Sequence, residues 1–442
     1  MDNRIHLFKI KGKNLLYDIE SSSLHEVDDL TAEILSEFDG ENDGVILQKF
    51  GDNAKDVIGD LHFLINEGSL FAPKLELPKN YRPQGVVKSL CLMVAEDCNL
   101  ACKYCFADGG TYGHERAIMS PATGIAAIDF LLKTSPQRQH YEIDFFGGEP
   151  LLNMETLKAT TKYARDKEAE TGKSIKLTVT TNGVLLTDDV IDWLNENNIS
   201  VVLSLDGRKE VHDKVRKDRG GNPTYDKVLK NFQKLVKSRN GENYYIRGTY
   251  TRENLDFTKD VAAMYDVGFR ILSMEPVVLK GGELAIRRED LPRIFEEYDR
   301  LTEYYLEKQK SGDPFNFFHF NIDLQGGPCL HKRIAACGAG HEYYAVSENG
   351  DLYPCHQFVG KGEYKLGNIV DGVTNKNLPD TFRNAHIFNK EKCSDCFARY
   401  LCSGGCHANA VNLNNNLLTP YEIGCEIQKK RAECALYILS EG

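Results

Sequence analysis

The chain has 442 residues, 41% hydrophobic and 27% charged, the make-up of a globular protein of several domains and unlike a disordered or low-complexity chain. Its 54 Lys and Arg stand against 65 Asp and Glu, a net charge of −11, which disfavours a general nucleic-acid role because phosphate binding needs the opposite sign. No apolar run approaches the ~20 residues that span a bilayer, and the N-terminus MDNRIHLFKIKGKNLLYDIE lacks a signal-peptide stretch, so a cytoplasmic location is expected.

Residues 4–10, 13–19 and 23–27 read as short strands, separated by turns near Gly12 and Ser21 to Ser23. Residues 31–38 and 54–67 read as helices, with the turn-rich stretch 39–44 between them. Together they predict a small α+β module over residues 1–80, followed by a linker punctuated by Pro73, Pro78 and Pro83. This module holds 8 basic and 16 acidic residues and so carries −8 of the net charge.

From residue 88 the pattern changes to alternating strands and helices. Strands are predicted at 89–95, 141–146, 176–180, 200–205, 244–251 and 269–274, and helices between them at 122–132, 154–168, 188–196 and 225–238. Six βα-like units imply a parallel sheet whose strands are buried on both faces, which explains runs such as VVLSL. A partial barrel over residues 81–310 is the simplest closure. GGEP, TTNG and SLDG follow successive strands, where parallel folds place their chemistry. After a helix at 291–309 the chain becomes loop-rich and cysteine-rich over 311–442, ending in a helix at 426–439.

The thirteen cysteines are an odd number in a chain without an export signal, which argues against a disulfide framework. They are clustered instead. Cys98, Cys102 and Cys105 follow the first barrel strand with C-x3-C-x2-C spacing. Three thiolates so close can hold one corner of an iron–sulfur cube and leave its fourth iron open, whereas structural zinc takes four protein ligands.

This loop, with Tyr104 at its aromatic position, resembles the signature of radical S-adenosylmethionine (SAM) enzymes. The resemblance implies a [4Fe–4S] cluster whose open iron binds SAM and cleaves it to a 5′-deoxyadenosyl radical, with Tyr104 near the adenine. It also implies SAM contacts from Gly147, Gly148 and Glu149 of GGEP, from Thr181 and Asn182 of TTNG, from Ser204 and Asp206 of SLDG, and from Arg216. The glycines are expected to let backbone approach the ligand.

Later in the chain, Cys337 and Cys355 flank Gly350, and Cys393, Cys396, Cys402 and Cys406 follow with C-x2-C-x5-C-x3-C spacing before Cys425. This resembles the SPASM motif and implies two auxiliary [4Fe–4S] clusters. By that resemblance Cys337, Cys355 and Cys406 serve the first, with Cys329 available to complete it or leave it open to a substrate thiolate. Cys393, Cys396, Cys402 and Cys425 serve the second. Cys91 and Cys434 read as core cysteines.

CLMVAEDCNLACKYCFADGG, GPCLHKRIAACGAGHEYYAVSENGDLYPCHQFVG and CFARYLCSGGC together resemble the SCIFF (ranthipeptide) maturases. The implied fold is a partial (βα)6 radical SAM barrel between a winged-helix-like recognition module and a SPASM domain. The implied activity is formation of thioether links between Cys and an acceptor residue in a small Cys-rich precursor peptide. Its leader is held by residues 1–80 through strand addition, and its basic residues would suit the module's charge. An external electron donor such as flavodoxin or ferredoxin is implied as well. The alternative is a sulfatase-maturing enzyme that oxidises one Cys or Ser to formylglycine.

Overall fold

The computed structural model describes residues 4–78, 81–83, 85–325 and 329–442. Residue 80, the first predicted boundary, and Gly327 and Pro328 of the quoted C-terminal segment lie outside these described residues.

Strands Ile5–Ile10, Lys13–Asp18 and Leu24–Val27 form an antiparallel sheet in chain order. Three helices cover it: Asp29–Leu35, Asp43–Phe50 and Ala54–Asn66. The first begins two residues before the expected position because Asp28 caps it, its carboxylate accepting from the Thr31 amide at 2.7 Å. The second was not anticipated. It starts inside the predicted turn cluster, where Asp39 accepts from the Glu41 and Asn42 amides and folds the chain back at once. Ile5, Leu16, Ile34, Leu35, Phe38, Ile46 and Leu61 bury themselves between sheet and helices as a core of their own.

Strands Ser89–Glu96, His140–Gly147, Ser174–Thr181, Ser200–Ser204, Tyr244–Tyr250 and Ile271–Pro276 lie side by side in chain order, and all pair in parallel. This is the partial barrel that six βα units imply. Alternate residues such as Leu90, Leu92, Ile143, Phe145, Leu177 and Leu203 pack outward against helix residues including Leu131, Leu157 and Phe232. Each such fully buried side chain contributes about 1.5–3 kcal/mol. Cys91 and Met93, of opposite pleat, point to the concave face and pack with Ala339, Tyr353, Phe358 and Phe382 of the C-terminal region.

The sheet does not stop at the barrel. Tyr343–Val346 adds in parallel to the free side of Ser89–Glu96, and Asp351–Tyr353 continues antiparallel to it. These strands have four and three residues, too few for alternation to reveal them. Helices Lys209–Val215 and Thr258–Asp266 were also not anticipated. The last helix, Glu422–Ser440, begins earlier than expected and packs beside Leu291–Lys310.

The N-terminal module is fastened to this C-terminal region. Glu20 ion-pairs with buried Arg399 and accepts from the Tyr400 hydroxyl at 2.8 Å. His6 stacks on Phe397 with ring centroids 3.5 Å apart, and Lys74 pairs with Asp395 at 3.1 Å. Among the described residues no helix is long and apolar enough to cross a membrane.

Candidate functional site

The strand Ser89–Glu96 runs directly into the Cys98–Cys105 loop. Two backbone bonds hold that loop, Ala101 N–H to Lys217 O at 2.8 Å and Lys103 N–H to Val215 O at 2.9 Å. The Leu100 amide and the Asn182 side-chain amide point at the Cys98 sulfur, at 3.4 and 3.7 Å. Amide donors of this kind favour a thiolate and tune an iron–sulfur centre. Without a metal, burial pushes the Cys98 thiol up to about 12. Burial raises Cys102 as well, with the Arg216 charge acting against it. Cys102 shares electrostatic interactions with both Cys98 and Cys105, although among the described residues no three of these side chains stand close enough to grip a single metal ion.

Gly147 and Gly148 follow the next strand. Their smallness serves the protein first: a Cβ on Gly147 would sit 2.2 Å from the Ala95 carbonyl oxygen, and one on Gly148 would sit 2.3 Å from that of Asp97. The Gly148 and Glu149 amides donate to those same carbonyls at 2.8 Å. Glu149 is fully buried. It accepts from Leu151 N–H, the Thr181 hydroxyl and Asn182 N–H at 3.1, 2.7 and 2.8 Å, lacing GGEP to TTNG. Burial raises its carboxyl to about 7 despite these donors.

Opposite the cysteine loop, Arg216 donates to the Tyr104 hydroxyl at 2.8 Å, and Tyr104 donates to Asp206 at 2.5 Å. The Tyr104 hydroxyl is thus engaged in joining loop to strand end. Asp206 also accepts from Thr249 N–H at 3.0 Å; burial raises its pKa against the pull of Arg216. His212 braces the pair from behind. Its Nδ1 accepts from the Asp206 amide at 3.4 Å, while its Nε2 meets the Thr224 hydroxyl at 3.1 Å, which donates to Arg216 O at 2.8 Å. Arg216 Nε is buried and has no hydrogen-bond partner among the described residues. A guanidinium donor without an acceptor, beside Cys102, fits the carboxylate of an amino-acid ligand such as SAM. Ser204 stands at the end of its strand across from Arg247.

The second group of cysteines divides into two sets. Cys355 interacts electrostatically with Cys406 and Cys337. Cys393, Cys396, Cys402 and Cys425 interact among themselves. Backbone N–H groups meet several sulfurs: those of Gly404 and Gly405 at Cys402, Ala408 and Asn409 at Cys406, Gln357 and Phe358 at Cys355. The donor chemistry suits iron–sulfur ligation in both sets. Cys329 is exposed and interacts electrostatically with Tyr81. Cys91 and Cys434 are buried in the core, as expected.

The concave face carries polar residues that sequence reasoning missed. Glu275, at the end of the last barrel strand, lies 3.1 Å from His319 and 3.5 Å from buried Arg431. Burial opposes its ionisation, but these two neighbours hold its carboxyl well below the usual range. Burial also raises the nearby-strand Asp144 to about 6. Arg247 projects from the same pleat as Tyr245 and Thr249 and is exposed. The available signal was period-two placement of charges within otherwise buried strands.

A family model described as Radical SAM superfamily matches residues 92–259, and one described as an iron-sulfur cluster-binding domain, SPASM, matches residues 337–397. The chain is 26% identical over 344 residues to the serine-type anaerobic sulfatase-maturating enzyme of Bacteroides thetaiotaomicron, covering 71% of this chain and 80% of that protein. Its fold is similar to native anSMEcpe with bound AdoMet and the Cp18Cys peptide (TM-score 0.67, 23% identity, 80% of this chain and 98% of that one). It is also similar to Streptococcus suis SuiB bound to its precursor peptide SuiA (TM-score 0.51, 17% identity, 93% of this chain and 96% of that one). Residues 92–259 thus carry a radical SAM domain and residues 337–397 a SPASM iron–sulfur cluster-binding domain.

Proposed function

We propose that this enzyme installs thioether links in a ribosomally made, Cys-rich precursor peptide, joining a Cys sulfur to a carbon of an acceptor residue. The observation that carries this reading is the module at residues 4–78, which lies outside both matched domains yet is fastened to the Cys393–Cys402 stretch. Ile5–Ile10 and Leu24–Val27 are the two edges of its sheet, and an edge strand can take up an extended peptide by main-chain pairing. SuiB, whose structure resembles 93% of this chain, is bound to a precursor peptide.

In this reading Cys98, Cys102 and Cys105 hold the SAM-binding cluster. Cys337, Cys355 and Cys406, with Cys329 as optional fourth ligand, hold the first auxiliary cluster, and Cys393, Cys396, Cys402 and Cys425 hold the second. When bound, SAM and its cluster supply the 5′-deoxyadenosyl radical that removes a hydrogen atom. The chain's own residues position. Arg216, fixed by Tyr104, presents Nε to the SAM carboxylate. The backbone of Gly147 and Gly148 and the side chains of Asn182 and Ser204 line the adjoining strand ends. The concave face around Arg247 and Glu275 orients the peptide, and the C-terminal region packed over Cys91 and Met93 keeps water out. Thioether formation removes two hydrogens per link: one as the hydrogen atom taken by the deoxyadenosyl radical, the other as the thiol proton, so one electron remains, which an auxiliary cluster would accept, while an external flavodoxin or ferredoxin would supply the electron that starts SAM cleavage.

A second reading is formylglycine formation on a protein Cys or Ser. The curated relatives favour it over thioether formation, since the Bacteroides thetaiotaomicron relative is a sulfatase-maturating enzyme. Mass spectrometry of a Cys-rich precursor after anaerobic reaction with SAM and reductant separates the two. Loss of two hydrogens and one alkylatable thiol per link supports the thioether; conversion of the thiol to an aldehyde supports formylglycine.

A further inference from the structure

Lys390 is a buried cation in an unusual place. It is 3% exposed, and its ammonium donates to the Gly404 carbonyl at 2.7 Å. Gly404 is the middle residue of the Cys402–Cys406 crossover, the turn that delivers one cysteine to each auxiliary set. Ser403, Gly404 and Gly405 all take positive φ there, which gathers amides toward the Cys402 sulfur and leaves the Gly404 carbonyl to face the lysine. The fit is close: a Cβ on Gly404 would lie 3.2 Å from Lys390 Cδ.

Among the described residues no carboxylate forms an ion pair with Lys390. Burial pulls the pKa of this ammonium down, and the groups that oppose it are sulfurs from both sets: Cys393 and Cys402 of one, Cys406 and Cys337 of the other. An unpaired buried cation is costly, so its retention beside two groups of thiolates calls for an anionic partner. Two iron–sulfur clusters held by these cysteines would supply one, since each gains a negative charge on reduction.

We propose that Lys390 is a shared electrostatic post for both auxiliary clusters, pinning the Cys402–Cys406 crossover and favouring the reduced state of each. It is a positioning and tuning residue, and this role rests on the reading that the two cysteine sets hold clusters. Because one fixed charge faces both sets, it would raise both reduction potentials together and leave the difference between them unchanged.

The test is an EPR-monitored redox titration of full-length reconstituted protein, in a Cys98→Ala, Cys102→Ala, Cys105→Ala background that leaves only auxiliary signals. Lys390→Gln is expected to lower the reduced-to-oxidised ratio of both clusters about tenfold at fixed potential, a shift of about 59 mV for a one-electron couple. Lys390→Arg, which keeps the charge, is expected to titrate like the parent. Unchanged midpoints in Lys390→Gln at parental iron and sulfide content would overturn the proposal, as would a shift in one cluster alone. If Lys390→Gln does not load iron, Lys390→Met, which keeps the packing of the stem, replaces it. Failure of both neutral variants to load would assign Lys390 to assembly and overturn the tuning role. A parent without auxiliary clusters would overturn the underlying cluster reading, and its iron content shows this before any Lys390 variant is made.

Discussion

Tyr104 donates its hydroxyl to Asp206 at 2.5 Å while accepting from Arg216 at 2.8 Å, so one phenol on the cysteine loop fixes both an acid and a base from the far side of the barrel mouth. Tyr104→Phe leaves a buried carboxylate oxygen and a guanidinium N–H without their partner. The expected cost is about 1–3 kcal/mol in urea unfolding. SAM affinity, read by equilibrium dialysis of the reconstituted enzyme, should fall in parallel because Arg216 loses its fixed orientation. Unchanged affinity would show that Arg216 is held by other means.

Glu20 and Arg399 make an ion pair in which both side chains are nearly inaccessible, 5% and 1% exposed. Arg399 also donates to the Cys396 carbonyl at 3.2 Å. Glu20→Ala strands that guanidinium, and breaking a buried pair from one side costs about 3–5 kcal/mol. Denaturation should show this loss. Iron analysis should show depletion of the set that includes Cys396, while the Cys98 loop keeps its iron.

Two glycines predict opposite outcomes. Gly148→Ala puts a methyl group 2.3 Å from the Asp97 carbonyl oxygen, a clash with backbone that costs about 1–3 kcal/mol or more. Gly59 sits inside the helix Ala54–Asn66 with nothing within 4 Å of an added Cβ. Gly59→Ala should therefore stabilise by about 0.5–1 kcal/mol. Calorimetry on both variants checks the pair.

The parts of this molecule that were legible in the sequence are those set by local spacing. Six buried strands announce themselves by apolar runs, and the cysteine sets by intervals that ligand geometry demands within one loop. What depended on distant partners was not legible. The close approach of Gly147 and Gly148 to the Ala95–Asp97 backbone could not be read from the GGEP motif. That the Glu149 carboxylate ties GGEP to TTNG could not be read from its motif. The strand Tyr343–Val346 is too short to show a period, and only its pairing with Ser89–Glu96 makes it a strand. Glu20 and Lys390 are ordinary charges until the fold brings Arg399 to one and the Gly404 carbonyl to the other.

His212 gives the site a defined acid sensitivity. Burial, with the Arg216 charge, lowers its pKa to about 2, so the native ring stays neutral where the unfolded ring takes up a proton below ~6.5. The unfolded state then binds more protons, and stability falls as pH drops through that value. Between pH 7.5 and 5.5 the loss from this residue is about 1.4 kcal/mol. His212→Asn, which can still accept from the Asp206 amide, should be less stable at pH 7.5 yet lose less on acidification. Anaerobic urea unfolding at the two pH values measures the difference; equal slopes for variant and parent would contradict it.

The most direct test of the central claim is the mass of a Cys-rich precursor peptide after anaerobic incubation with the reconstituted full-length enzyme, SAM and reductant. The account predicts loss of two hydrogens for every thiol that becomes resistant to alkylation, with 5′-deoxyadenosine formed alongside. An aldehyde in place of a thiol, or an unaltered peptide beside an enzyme that cleaves SAM and binds that peptide, would contradict it.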